Sequence, residues 1–326
     1  MYFKLYKLPN GRKRSGEGRS GNYAVMPKEG GTAMPSGIIV VDKPQDWTSQ
    51  DVAAKLRGVF HERRVGHGGT LDPMATGVLP VFIGRATRAV EFFEAAEKEY
   101  VAGLRLGLET NTQDVTGETL REAPADVTRA QLETVLKQFL GPQEQLPPMY
   151  SAVKIGGKKL YELARQGKTV ERKPRRIEIP ELELLDGGGN EYQIRVRCSK
   201  GTYIRTLCHD IGQALGCGGC MSSLRRTKAG CYGLEQAVPL ETLIACGDPA
   251  RLLLPVDSLF QDLPATAVSQ RSLKAVYNGA PVPAGHLAPG TYRVYDPNGV
   301  FLMVGTVKSG MLHTGKSFFE VREREL

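Results

Sequence analysis

The chain reads as an α+β protein, with a large mixed sheet flanked by helices and a smaller all-β unit at its C-terminus. Three observations predict this. Alternating or continuous apolar strand patterns are interleaved with 3.6-residue helical ones through roughly the first 250 residues. Two strand-like runs flank the turn Asp186-Gly-Gly-Gly-Asn190, which makes at least one strand pair antiparallel. Over residues 255–326 the helical period fades, and short strands alternate with Gly/Pro turns such as Asn278-Gly279 and Pro289-Gly290.

Residues 37–43 form an apolar run ended by Lys43-Pro44, a short buried strand. Thr48 or Ser49 then caps a helix that puts Val52, Leu56, Val59 and Phe60 on one face. His61 to Gly77 is rich in glycine and has no regular period, and Val78 to Gly84 is a second apolar strand. Thr87 to Glu97 reads as a helix with Ala89, Val90 and Phe93 inward, and Tyr100 to Glu109 alternates as a strand. Thr128-Arg-Ala-Gln131 is a capping box that opens a helix to Leu140, stopped by Gly141-Pro142. Ile177 to Leu185 and Glu191 to Ser199 are the strands of the hairpin, and Thr202 to Leu215 is a helix stopped by Gly216.

The 326 residues carry 43 Lys and Arg against 35 Asp and Glu, a net charge of +8 that suits a polyanionic partner. The positive charge is patchy. Residues 1–36 hold seven basic and two acidic residues without any structural period, which predicts a disordered arm. Residues 154–176 hold nine basic residues against Glu162 and Glu171. The remainder is net negative, so a localised phosphate-binding face is expected. No apolar run reaches the length of a membrane span, and the N-terminus lacks the apolar core of a secretory signal, so the reading is a soluble cytosolic protein. All six Cys fall between positions 198 and 246. Cys217-Gly-Gly-Cys220 has zinc-knuckle spacing but no second spaced ligand pair, and these residues are read as small and buried, with no metal site.

The most unusual stretch is His61 to Gly77. Gly66, Gly68 and Gly69 open backbone conformations closed to other residues, and Asp72 is a lone carboxylate between Leu71 and Pro73, just before an apolar strand. An acid held there is partly desolvated and must be paired or protonated. An Asx-turn before proline is the bland alternative. An aspartyl phosphotransferase would want an acid two residues on as a magnesium ligand, and position 74 is Met. Carboxylate-pair hydrolysis needs a second acid, and the sequence offers none in a comparable setting.

Residues Gly66-His-Gly-Gly-Thr-Leu-Asp-Pro-Met-Ala-Thr-Gly77 resemble the signature of the TruB family of tRNA pseudouridine-55 synthases. Gly37-Ile-Ile-Val-Val-Asp-Lys-Pro44, Lys98-Glu-Tyr100, Pro148-Met-Tyr-Ser-Ala-Val-Lys154, Gly157-Lys-Lys-Leu-Tyr161, Cys198-Ser-Lys-Gly-Thr-Tyr-Ile-Arg205 and Ser223-Leu-Arg-Arg-Thr227 extend it collinearly. The resemblance implies a pseudouridine synthase fold over 37–250, with a mixed, mainly antiparallel sheet, and a PUA-like RNA-binding domain over 255–326. It implies base flipping and isomerisation of uridine 55 in the T-loop, no cofactor, and a tRNA partner met by a monomer. On it, Asp72 stands at the family's catalytic aspartate, Tyr100 at the tyrosine that stacks on the target base, and Arg205 at the arginine that pairs with the aspartate, with Tyr203 beside it. His67 stands at the histidine that helps hold the flipped-out RNA, Leu224 at an apolar contact of the flipped base, and Lys43 at a lysine supporting the active-site loop.

The chemistry suits these residues. Isomerisation needs no redox partner or energy source, which agrees with the lack of nucleotide or metal motifs. The base must leave its stack, and an aromatic platform returns about 1–3 kcal/mol of stacking. Asp72 must be ionised to act as nucleophile or base, so an Arg205–Asp72 pair is predicted. Attack at C1′, addition at C6 and elimination to a glycal remain open. The alternative of another class is a tRNA-binding folding chaperone with little catalysis, against which Asp72, Tyr100 and Arg205 argue. A synthase for rRNA or for a guide-RNA complex is disfavoured by the lack of long Lys-rich extensions. The RNA face is expected to combine residues 154–176, Arg63-Arg64, Arg225-Arg226-Lys228 and the C-terminal unit.

Overall fold

A computed structural model describes residues 35–319, so residues 1–34 of the basic N-terminal stretch lie outside the described residues. The largest assembly is a nine-stranded sheet. Its strands are β1 (Gly37–Lys43), β2 (Val65–His67), β3 (Thr76–Ile83), β4 (Lys98–Leu106), β5 (Glu181–Gly188), β6 (Glu191–Cys198), β7 (Gly219–Ala229), β8 (Tyr232–Gly233) and β9 (Val238–Pro239). In space they run β5-β6-β4-β7-β3-β1-β9, with β2 added to β3 and β8 to β7. The β3–β7 and β1–β9 pairs are parallel and the others antiparallel, as the resemblance implied.

The apolar runs of β1 and β3 are continuous because the sheet is covered on both faces there. Ile39, Val41, Leu79 and Val81 face a core closed by α1 (Ser49–Phe60), α3 (Arg129–Leu136), α5 (Ile204–Ala214) and α6 (Leu240–Ala245), while α4 (Leu160–Ala164) lies outside it. Ile38, Val40, Val78 and Phe82 face a second core, with Phe93 of α2 (Val90–Glu94), Tyr232 and the C-terminal residues Val256, Phe260, Val304 and Phe318. In β6 only Tyr192, Ile194, Val196 and Cys198 are buried, and Gln193, Arg195 and Arg197 between them keep one face wet. Thr48 caps α1 in a reciprocal box with Asp51, and Thr128 caps α3 with Gln131.

Two glycines set close approaches. Gly77 has φ +98° where β3 runs beside β7, and a Cβ there would stand 2.2 Å from the Arg226 carbonyl oxygen. Gly212 lets α5 rest directly on β7, since a Cβ there would stand 2.1 Å from the Gly219 nitrogen.

The C-terminal sheet comprises β10 (Ala265–Ala267), β11 (Val282–Pro283), β12 (Gly290–Tyr295), β13 (Phe301–Lys308) and β14 (Met311–Ser317), in the order β10-β12-β13-β14-β11. One short helix, Leu273–Tyr277, accompanies this otherwise all-β region. Arg88 donates to the Ser317 hydroxyl at 3.0 Å and Lys316 pairs with Glu91, so polar contacts flank the shared core.

Several sequence expectations need correction. The strand expected over 177–185 breaks at Pro180, which cannot donate to a ladder; Arg175–Ile179 pairs instead with Gly141–Gln145. The helix expected over 87–97 is a 3-10 segment, Gly84–Ala89, followed by only five α-helical residues, and β4 starts at Lys98 rather than Tyr100. β4 ends at Leu106 because Gly107 takes φ +78°. The 61–77 stretch contains β2. The 11-residue strand β7, central to the sheet, has a mixed polar sequence that gave no period to read.

The two units share one core, which predicts that they unfold together. Phe260, 6% exposed, packs edge-on to Phe92 and against Phe301 and Phe318. Phe260→Ala is expected to cost about 3–5 kcal/mol in urea unfolding, with a single transition followed by fluorescence and circular dichroism; two separated transitions would contradict the shared core.

Candidate active site

The loop between β2 and β3 is tied down on both sides of Asp72. Ser49, buried at the start of α1, accepts from the Leu71 amide at 2.8 Å and lies 3.3 Å from the Leu71 carbonyl. On the other side, the Pro73 carbonyl accepts from the Asp46 amide at 2.9 Å and from Lys43 Nζ at 3.2 Å. Lys43 also donates to the carbonyls of Trp47 (2.6 Å) and Pro44 (2.9 Å), and burial brings its pKa down to about 8. The Asp72 carbonyl closes a turn onto the Ala75 amide at 3.0 Å. Asp72 thus keeps a fixed backbone while its side chain stays 38% exposed towards a cavity.

Arg205, on the first turn of α5, reaches Asp72 from the opposite wall, with Nη2 3.2 Å from Oδ2. The predicted pair is present. Arg205 is 6% exposed and also donates to the Tyr150 carbonyl at 2.8 Å. Its helix is set by the Gln145 side chain, which accepts from the Tyr203 amide (2.8 Å) and donates to the Tyr203 carbonyl (3.0 Å).

The fold supplies a second acid that the sequence did not reveal. Asp114, 4% exposed, stands 3.9 Å from Arg205 Nη1, and its other oxygen accepts from Thr112 Oγ1, the Thr116 amide and Thr116 Oγ1 at 2.8, 3.0 and 2.5 Å. In sequence Thr112-Gln-Asp-Val-Thr116 reads only as an Asx turn, and the fold alone brings it to Arg205. Arg205 is therefore shared between two carboxylates. Burial raises the Asp72 pKa above its ordinary value; Arg205 pulls it down and Asp114 pushes it up. Arg205 offsets the cost of ionising Asp72 only in part.

The cavity has a volume of about 1150 Å³, beyond the usual size of a small-molecule site. Six of the seven expected residues line it: His67, Asp72, Tyr100, Tyr203, Arg205 and Leu224. Lys43 is behind the loop. Tyr100 on β4 and Leu224 on β7 are each 8% exposed. They belong to adjacent strands, where Leu224 pairs with Ala102 and Arg226 with Tyr100. Burial raises the Tyr100 pKa, with Arg226 pulling it down, and burial followed by Arg226 lowers that of His67. Nδ1 of His67 has no hydrogen-bond partner among the described residues.

At the mouth, Lys159 and Arg165 flank the Tyr161 ring at 5.3 and 5.5 Å. Most basic residues of 154–176 are exposed, as are Arg63 and Lys228. Arg226 is not: it is 1% exposed, so its expected place on the outer basic face is wrong. Arg225 is half-exposed and holds Asp42 in a two-pronged pair at 2.8 and 3.2 Å. Four of the six Cys are buried, Cys231 is exposed and Cys246 lies between.

A tethered carboxylate thus faces a buried guanidinium, beside an aromatic and an aliphatic wall under a basic rim. Comparison with known proteins shows the family of the chain. The family model described as TruB family pseudouridylate synthase (N terminal domain) matches residues 57–204, and that of the tRNA pseudouridylate synthase B C-terminal domain matches residues 205–261. The chain is 48% identical over 275 residues to the tRNA pseudouridine synthase B of Syntrophomonas wolfei, covering 82% of this chain and 92% of that protein. It is 47% identical to that of Stutzerimonas stutzeri, covering 83% and 92%. Among solved structures, a Cbf5-Nop10-Gar1 complex matches with a TM-score of 0.66 and 29% identity, covering 88% of this chain and 86% of that one. An H/ACA RNP bound to a substrate RNA containing 2'-deoxyuridine gives 0.67 and 26%, with the same coverage. The chain belongs to the TruB family of pseudouridylate synthases.

The raised Asp72 pKa has a consequence for stability. Between the ordinary carboxylate pKa and the folded value, the folded protein binds the proton more tightly than the unfolded chain, so stability falls as pH rises through that window, and the full penalty is present above it. Asp72→Asn removes the penalty. Its Tm at pH 7 is expected to equal or exceed that of the wild type, with the difference shrinking as pH falls below the window; a Tm lower by more than about 3 °C, roughly 1 kcal/mol in a chain of this size, would contradict it.

Proposed function

We propose that this protein isomerises uridine to pseudouridine at position 55 of the tRNA T-loop, as a monomer in the cytoplasm and without a cofactor. The observation that carries the reading is Asp72 itself: a backbone-tethered carboxylate, paired with Arg205, at the base of a cavity walled by Tyr100 and Leu224. That arrangement suits a flipped pyrimidine nucleotide that must meet a carboxylate. The relatives' name, tRNA pseudouridine synthase B, supports the substrate class.

Each side chain then has a task. Asp72 is the nucleophile or base. Arg205 favours its ionised form and, through Asp114 and the Tyr150 carbonyl, fixes its own orientation. Tyr100 and Leu224 take the flipped uracil between apolar surfaces, Tyr203 closes the wall beside Arg205, and His67 supplies contacts to the rearranged loop. Lys43 acts from behind, on the Pro73 carbonyl. Phosphates of the T-arm meet the exposed residues of 154–176, Arg63 and Lys228, and the C-terminal sheet extends this face as an RNA-binding unit.

Tritium release from tRNA transcripts labelled at C5 of uridine tests this reading. Wild type is expected to release tritium, and to stop when the T-loop uridine is replaced. Asp72→Asn is expected to abolish release while filter-binding affinity stays within about tenfold, since phosphate contacts dominate binding. Release that survives the substitution would overturn the role given to Asp72, and tight binding without release by the wild type would overturn the activity.

A further inference from the structure

Arg226 is the largest fully buried side chain among the described residues, and it is charged. Its guanidinium donates to the Val78 carbonyl at 2.6 Å and to the Gly69 carbonyl at 3.3 Å. No carboxylate among the described residues is within 4.0 Å of it, whereas Arg205 and Arg225 both have one. A second buried cation adjoins it. Lys98, 8% exposed, donates to the carbonyls of Glu94 (3.3 Å) and Ala96 (2.5 Å), and its Cε and Arg226 Nη1 are 3.8 and 3.6 Å from the Cβ position at Gly69. Both line the cavity.

Burying a cation among carbonyls alone is costly, and pairing it with a carboxylate would have been the ordinary remedy. Rules broken in this way mark functional positions, where the compensating charge arrives with the substrate. The wall that carries these cations is the Tyr100 wall: Arg226 is the cross-strand partner of Tyr100, and its guanidinium stands beside the phenol.

The isomerisation places a negative charge near that wall. When the C1′–N1 bond breaks, its electron pair stays on N1 and the uracil leaves as an anion. If the carboxylate adds at C6 first, the ring becomes an enolate. On either course the ring later spends an electron pair on the new C1′–C5 bond and the carboxylate is released from C1′ or from C6; loss of the C5 proton to a base then returns the charge to the ring, and uptake of a proton at N1 leaves the product neutral.

We infer that Arg226, assisted by Lys98, is a positioning residue that holds the Tyr100 platform and the Gly69 carbonyl, and whose uncompensated charge stabilises the uracil while it is anionic. The inference rests on the isomerase reading above. Wild-type turnover tests that reading alone, and the ratio of variant to wild type tests this one.

The experiment measures single-turnover pseudouridine formation on a tRNA transcript with saturating full-length enzyme, together with filter-binding affinity and Tm. Arg226→Met is expected to slow the single-turnover rate about a hundredfold, the loss typical of removing one preorganised donor to a developing anion. Affinity is expected to stay within about threefold, as for an interaction made only during reaction. Arg226→Lys, which keeps the charge but not the fork, is expected to recover at least about tenfold of that loss. Equal losses in both variants, or a loss seen mainly in affinity, would reduce Arg226 to a loop tether and overturn the inference. Should Arg226→Met fail to fold, Lys98→Met decides: a rate about tenfold slower at unchanged affinity supports the electrostatic role, and an unchanged rate overturns it.

Discussion

A carboxylate half-enclosed by protein ionises only with help, and Asp72 receives that help from one guanidinium at 3.2 Å. The surrounding architecture serves this contact. Ser49, Asp46 and Lys43 fix the backbone on either side of the aspartate, so its position does not depend on a flexible loop. Gln145 clasps Tyr203 and so sets the first turn of α5 that carries Arg205. Asp114 and the Tyr150 carbonyl then orient the guanidinium. Burial and Asp114 push the Asp72 pKa up while Arg205 and Lys43 pull it down, and this balance sets how readily the carboxylate forms.

The sheet explains why distant parts of the chain meet there. β4 and β7 are antiparallel neighbours, so Tyr100 shares one wall with Leu224 and Arg226, more than 120 residues further along the chain. The aspartate loop sits between β2 and β3, and β3 runs parallel to β7 at Gly77–Arg226. The C-terminal region packs on the other face, through Phe260, Phe301 and Phe318, and none of its residues lines the cavity.

Much of this was legible in the sequence because the signals were local. The strand over 37–43 coincides with β1, the Thr48 and Thr128 caps open the helices they were expected to open, and Gly216 ends α5. The family signature around Asp72 carried the site further than composition or periodicity could. What stayed hidden was non-local. β7 is central but carries Ser, Arg, Thr and Lys, since its polar residues either face the cavity or pair with neighbouring strands, and no alternation survives. Asp114 looks like a turn residue until the sheet brings it to Arg205. Arg226 lies in an Arg-Arg pair that reads as surface charge, yet strand alternation sends one arginine outward to Asp42 and the other inward.

The most direct test of this account is the pH dependence of single-turnover pseudouridine formation in the wild type and in Arg205→Met. The wild-type rate is expected to fall on the acid side as Asp72 takes up its proton, at a pH higher than for an ordinary aspartate. Removing the compensating cation raises the Asp72 pKa further, so the acid limb of the variant is expected to move to higher pH. An acid limb that stays where it is in the wild type would contradict the claim that Arg205 controls the charge of Asp72.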